Sequence, residues 1–182
     1  MVAGRNCGSC TACCTVKAIA APGLIKAPGV TCGHCDKSGC TVYETRPAVC
    51  REYFCGYIAT DWLSDRQRPD RSGVMIDLDA EAAHEGYERA VTVHVFKDAS
   101  RVLASPFPEL IGALIDGGQA VFLSRPGPPG SMNALMLLNP GLGQAAARGD
   151  TAAIRTGLGE ALARLDAHAF VPFSEEAARA RL

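Results

Sequence analysis

The chain has 182 residues, of which 48% are hydrophobic and 20% charged; this is ordinary globular usage and excludes extensive disorder. The formal net charge is −1, so the overall balance gives no reason for a nucleic-acid or membrane-surface partner. All nine cysteines lie between Cys7 and Cys55, a density that normally marks a disulfide scaffold or a metal site.

The segment before Cys7 has no apolar core of signal-peptide length. No apolar run reaches the roughly 18–20 residues that span a bilayer. A cytoplasmic location is therefore expected, without a membrane partner. In a reducing compartment, clustered cysteines read as metal-binding or redox groups, and stable disulfides are disfavoured. The odd count agrees, because nine thiols cannot all pair within one chain.

In chain order, residues 5–18 open with Cys7-x-x-Cys10-x-x-Cys13-Cys14. A turn-rich loop follows, punctuated by Pro22, Gly23, Pro28 and Gly29. The second cluster is Cys32-x-x-Cys35-x4-Cys40, then Cys50-x4-Cys55. Residues 47–63 are predicted as one short helix with Pro47 in its first turn. The polar stretch 64–73 is predicted as a boundary, which divides the chain into a cysteine-rich module over 1–63 and a second part over 74–182. The two are expected to pack as one globular unit.

Beyond Gly73 the pattern changes. Val74–Leu78 and Arg89–Phe96 alternate as strands, with Val91, Val93 and Val95 on the core face and Ala90, Thr92, His94 and Phe96 on the other. Pro106–Asp116 has helical character and stops at Gly117-Gly118. Ala120–Ser124 reads as a buried strand, 125–130 as a loop, and Met132–Leu138 as a strand ending at Asn139-Pro140. Residues 150–169 form an amphipathic helix with Ile154, Leu158, Leu162 and Leu165 at helical spacing. The tail from Pro172 is read as a short polar helix or a frayed end. The expected fold class is α+β: a loop-rich cysteine module packed on a small, mostly antiparallel sheet with two main helices.

C-x-x-C spacing lets two thiolates meet one ion across a tight turn. Two such pairs with five further cysteines point to metal ligation by Cys7, Cys10, Cys13, Cys14, Cys32, Cys35, Cys40, Cys50 and Cys55. Zinc is the leading ion, at two or more per chain, and an iron–sulfur cluster is the alternative. Nine thiols fill two four-coordinate sites and leave one surplus. Neighbouring side chains diverge along a backbone, so Cys13 and Cys14 are expected to serve two sites, or one of them to bridge. His34 is expected beside the ligands, not among them, and His84, His94 and His168 as structural or solvated residues. Residues 1–55 carry six basic and three acidic side chains. Two tetrathiolate zinc sites would contribute about −4 there, so the basic residues read as compensation for thiolate charge and not as a nucleic-acid surface.

The stretch C-x-x-C-x-x-C-C, followed by Cys40, Val42-Tyr43-Glu44, Arg46-Pro47, Cys50-Arg51 and Cys55, resembles the CxxCxxCC (YkgJ-type) cysteine-cluster family. The resemblance covers roughly residues 5–60. It implies a cysteine-ligated zinc or iron site. Residues 74–182 carry no comparable likeness. Arg46 and Arg51 are expected to support the thiolates or to be solvated, and Tyr43 and Trp62 to pack.

No G-x-S-x-G, H-E-x-x-H, P-loop or dinucleotide glycine fingerprint is present, so catalysis has no motif of its own. A catalytic zinc keeps an open position, whereas a surplus of thiols points to closed sites. The sequence thus favours a metal-binding protein whose site is structural or metal-handling. An iron–sulfur redox protein or oxidoreductase is the alternative, and a zinc-stapled interaction module a second one.

Overall fold

A computed structural model describes residues 1–79 and 86–176; His84 and the end of the tail, residues 177–182, lie outside the described residues. The first cluster forms a turn, with the Cys10 N–H donating to the Cys7 carbonyl at 2.9 Å, and runs into helix α1, Ala12–Val16. The expected loop after it is a β-hairpin, β1 (Ile19–Ala21) and β2 (Leu24–Lys26), reversing at Pro22-Gly23. Gly23 has φ +80°, which a residue with a Cβ adopts only at a cost. A second small hairpin pairs β3 (Cys35–Asp36) with β4 (Gly39–Cys40).

The helix expected over 47–63 is two helices, α2 (Ala48–Glu52) and α3 (Gly56–Ala59), separated by extended backbone at Tyr53. Arg5 holds the second of them. Its guanidinium donates to the carbonyls of Tyr57, Thr60 and Leu63 at 2.8, 2.7 and 2.6 Å, satisfying acceptors that a helix end leaves open. The stretch expected as a linker is also structured: a 3₁₀ turn at Asp65–Gln67 leads into α4, Pro69–Ser72.

The larger sheet has the order β5 (Val74–Asp79), β6 (Ala90–Val95), β7 (Ala120–Arg125), β8 (Ala134–Leu137). Its outer pairs are antiparallel, and the central β6–β7 pair is parallel. That parallel step requires a crossover, and α5 (Phe107–Asp116) supplies it. Two further helices follow, α6 (Asn139–Ala147) and α7 (Thr151–Asp166). The fold is α+β, as expected, but with three main helices. Asn139-Pro140 opens α6, where the sequence reading had it close a strand. Proline is well suited to a first helical turn, and the Asn139 side chain accepts from the Val121 N–H at 2.8 Å and donates to the Gln119 carbonyl at 2.7 Å.

The sheet has two unlike faces. Val74, Ile76, Val91, Val93, Val95, Val121 and Leu123 are all buried on one of them, in a core with Ile111, Leu114, Ile154, Leu158, Leu162 and Leu165. The opposite face carries Met75, Asp77, His94 and Ser124, which the register brings side by side. The N-terminal part meets this face: Ala12 and Val16 of α1 bury Met75 between them and Phe96.

Leu158 is fully buried, whereas Leu135 is half exposed. Leu158→Ala should therefore cost about 2–5 kcal/mol of unfolding free energy, and Leu135→Ala less than about 0.5 kcal/mol. Urea titrations of both variants would check the contrast.

Candidate metal centre

The four cysteine-bearing segments converge. Each C-x-x-C is a hydrogen-bonded turn, since the Cys35 N–H donates to the Cys32 carbonyl at 3.0 Å as Cys10 does to Cys7. The two clusters are tied by the Cys32 N–H, which donates to the Cys14 carbonyl at 2.9 Å. A close backbone approach ties them again. Gly39 has φ +121°, and a Cβ there would lie 2.5 Å from the Gly8 carbonyl oxygen, so only glycine lets the β3–β4 hairpin lie against the first turn. Cys40 stands directly opposite Cys35 in that hairpin. Helix α2 brings Cys50, and the start of α3 brings Cys55.

The result is one cavity of about 570 Å³ lined by all nine cysteines. All nine are free thiols. Cys7, Cys10, Cys13 and Cys55 also surround a second, small cavity of about 20 Å³. The Cys13 and Cys14 sulfurs lie 3.9 Å apart, so these neighbours do not diverge as their adjacency in sequence led one to expect. Two sulfurs of a tetrahedral zinc site lie about 3.8 Å apart, given a Zn–S bond of about 2.3 Å.

Among the described residues, no group of three or more Cys, His, Asp or Glu already has the geometry to hold an ion. The donor set suits a soft metal, but the sulfurs must close inward to ligate one. Burial pushes the thiols of Cys7, Cys10, Cys50 and Cys55 above their ordinary pKa, and in each case except Cys10 neighbouring thiols add to the effect. Cys35 is pushed up to about 12 by burial and by Cys14 beside it. Cys14 is raised further, first by its contact with Cys13 and then by burial.

The charges around the thiols are the site's second feature. Lys26 is only 5% exposed, and its ammonium donates to the carbonyls of Thr15, Ala27 and Val30 at 3.1, 3.0 and 2.9 Å. Burial depresses its pKa, while Cys14, Cys32, Cys13 and Cys35 act in the opposite direction. Arg46 stacks on Tyr43 with 3.9 Å to the ring centre, donates to the Cys50 carbonyl at 3.1 Å, and partly opposes the rise in the pKa of Cys7 and Cys50. Arg51 instead donates to the Arg46 carbonyl from an exposed position. His34 is exposed at the cavity rim, and Trp62 is 43% exposed, contrary to the expectation that it packs.

Behind the thiols lies a polar wall that the sequence patterns did not reveal. Lys17 pairs with Asp77 and stands over the Tyr53 ring, 4.0 Å from its centre. His94 Nε2 is 3.8 Å from Asp77 Oδ2. Among the described residues, neither His94 ring nitrogen finds a hydrogen-bond partner, nor does Ser124 Oγ, its neighbour on β7. His94 is thus buried, not solvated, and His168 is exposed. No alternation or spacing signals this wall, because Lys17 and Asp77 meet only when α1 docks on β5.

No family model, curated protein or solved structure matches the chain.

Burial disfavours the Asp77 carboxylate, but His94 and Lys17 outweigh it and hold the pKa below the usual value. The unfolded chain then binds this proton more readily than the folded one. The stabilisation is present above the ordinary aspartate pKa of about 3.9 and is lost as pH falls through the lower folded value. Wild type should lose stability relative to Asp77→Asn over that acidic range. Parallel urea melts from pH 6 down to 3 would show the two curves converging; curves that keep a constant separation would contradict the linkage.

Proposed function

We propose that the protein is a cysteine-ligated metal-binding protein of the CxxCxxCC type, holding zinc or iron in a structural or metal-handling role. The observation that carries this reading is the convergence of all nine cysteines, from segments up to 48 positions apart in sequence, on one cavity. Chance placement of small, weakly polar residues gives no reason for such focus, and nine reduced thiols packed together gain little from one another.

The buried ammonium of Lys26 adds support. Moving a cation out of water costs several kcal/mol unless negative charge meets it. Carbonyl dipoles meet part of that cost. Thiolates held by a metal at Cys13, Cys14, Cys32 and Cys35 would supply the rest, since a tetrathiolate zinc site carries −2. Nine free thiols also accord with a reducing, cytoplasmic location, and among the described residues no helix is long and apolar enough to cross a membrane.

The cavity volume favours a second reading, an iron–sulfur redox centre. About 570 Å³ is far more room than isolated ions need. A thiolate-bridged or sulfide-bridged cluster would use more of it, and the Cys13–Cys14 pair would then sit on adjoining metals.

Elemental analysis of anaerobically purified protein tests both readings. At least two metal ions per chain are expected. A brown solution with broad absorption near 400 nm would select iron–sulfur, and a colourless zinc protein would select the first reading. Cys10→Ser and Cys50→Ser should each lower metal content and the melting temperature, because such binding is coupled to folding; unchanged values in both would refute metal ligation.

Lys26→Met should leave the ligands in place but weaken metal retention on the order of tenfold, as losses of outer supporting groups do. Competition against a chromogenic chelator would measure it, and equal retention would show that Lys26 does not support the thiolates.

A further inference from the structure

The nine thiols form one continuous set. All of them line the large cavity; Cys32 is buried, the others are half-buried and none is exposed. The four that border the small cavity face the large one as well, so the cavities do not sort the thiols into two sites. A surplus thiol, left out of ligation, would have no reason to share this placement.

Cys14 stands at the junction of the set. Its sulfur lies 3.9 Å from that of Cys13 in the first cluster, and it meets the Cys35 thiol of the second in a hydrogen bond. Its carbonyl accepts from the Cys32 N–H at 2.9 Å, which fixes the two clusters against each other at this residue. A negative charge on Cys14 is felt at Cys7, Cys35 and Cys50, so it reaches the first turn, the β3–β4 hairpin and α2 at once. Lys26, the buried cation, feels Cys14 more strongly than it feels Cys32, Cys13 or Cys35.

Coordination arithmetic turns on such a central sulfur. Two tetrahedral ions take eight thiolates at most and strand the ninth. Three tetrahedral ions have twelve positions. Nine thiolates fill them when three each bridge two ions and six each serve one. Four ions would need seven of the nine to bridge. Three divalent ions with nine thiolates carry about −3 in total, and residues 1–55 carry six basic and three acidic side chains to set against it.

We propose that the cavity holds a single trinuclear cluster of thiophilic divalent ions in which all nine cysteines are ligands and Cys14 is one of three thiolates shared between two ions. This rests on the metal-binding reading above and goes beyond it in number and connectivity: one centre, three ions, no surplus thiol. Two sulfurs on one tetrahedral ion lie about 3.8 Å apart, which is close to the Cys13–Cys14 separation. Those neighbours can hold the same ion while Cys14 reaches a second beside Cys35. The remaining sulfurs close inward from the walls of the same cavity.

The test uses full-length protein, purified anaerobically, with its native metal exchanged for a spin-active isotope of Cd²⁺, a soft ion that thiolates accept in place of zinc. Three cadmium ions per chain are expected, with no thiol open to iodoacetamide. Magnetic resonance should show three cadmium signals, each coupled to at least one other through a shared sulfur, and the Cys14 β-protons should correlate with two of them. Two uncoupled ions and one alkylated thiol would overturn the cluster while leaving metal binding intact. Inorganic sulfide released from the native protein by acid would do the same, because sulfide would then be the bridge. Cys14 protons that correlate with a single signal would overturn its shared role. Cys14→Ser should retain two cadmium ions or fewer, and a variant that keeps three would overturn that role as well. Should the variant fail to fold, the wild-type proton correlations decide. Native protein that holds no metal and takes up no cadmium would overturn the metal reading and this inference together.

Discussion

The organising constraint of this molecule is the gathering of nine thiols in one confined space. Nine sulfurs face one cavity, and each becomes costly to ionise as water is excluded and as its neighbours ionise. Burial and mutual proximity accordingly raise the thiols of Cys7, Cys14, Cys35, Cys50 and Cys55. Raised in this way the thiols stay protonated, and the cations near them are held at fixed places. Lys26 is anchored by three carbonyls, Arg46 by the Cys50 and Tyr43 carbonyls, and Lys17 by Asp77. The same groups serve as struts, because each anchor joins two segments of the module or joins the module to the sheet.

The sheet answers this constraint with two chemically distinct faces. Along β6, Val91, Val93 and Val95 point to the helices, and His94 points to the module with Asp77 and Ser124 as neighbours from β5 and β7. A purely apolar second face would have buried Asp77 without compensation. Instead His94 and Lys17 stand on either side of it. The polar wall thereby lets one strand contribute to a dry core and to a charged cavity at once, since successive side chains alternate sides.

This division explains what the sequence made legible. Alternation over residues 89–96 identified the buried valines, and the spacing of Ile154, Leu158, Leu162 and Leu165 identified α7, because those elements bury one continuous apolar face. The grouping of cysteines was equally plain, since it lies in residue type and local spacing. Three things were hidden. Helix α6 begins at a proline that also reads as a stop, and only its Asn139 bonds to β7 decide the matter. The Cys13–Cys14 sulfurs approach each other by rotamer choice within α1, which adjacency alone misjudges. Lys26 and the Asp77 wall draw their importance from tertiary neighbours, and no local pattern encodes those.

The two parts also differ in what holds them together. From Tyr57 onward the buried core is built from large aliphatic and aromatic side chains. In residues 1–55 the buried positions are Ala12, Val16, Ala20, Lys26, Pro28, Cys32 and Gly39, so no leucine, isoleucine, phenylalanine or methionine is among them. Apolar burial at about 25 cal/mol per Å² can offset little of the chain entropy of so many loops. Backbone turns, buried cations and docking on Met75 supply part of the difference. Under the proposed metal-binding reading, metal–thiolate bonds would supply the rest, as in small domains that fold only with their ion. On this argument the C-terminal part would keep its own core without metal, and the order of the N-terminal part would follow its occupancy.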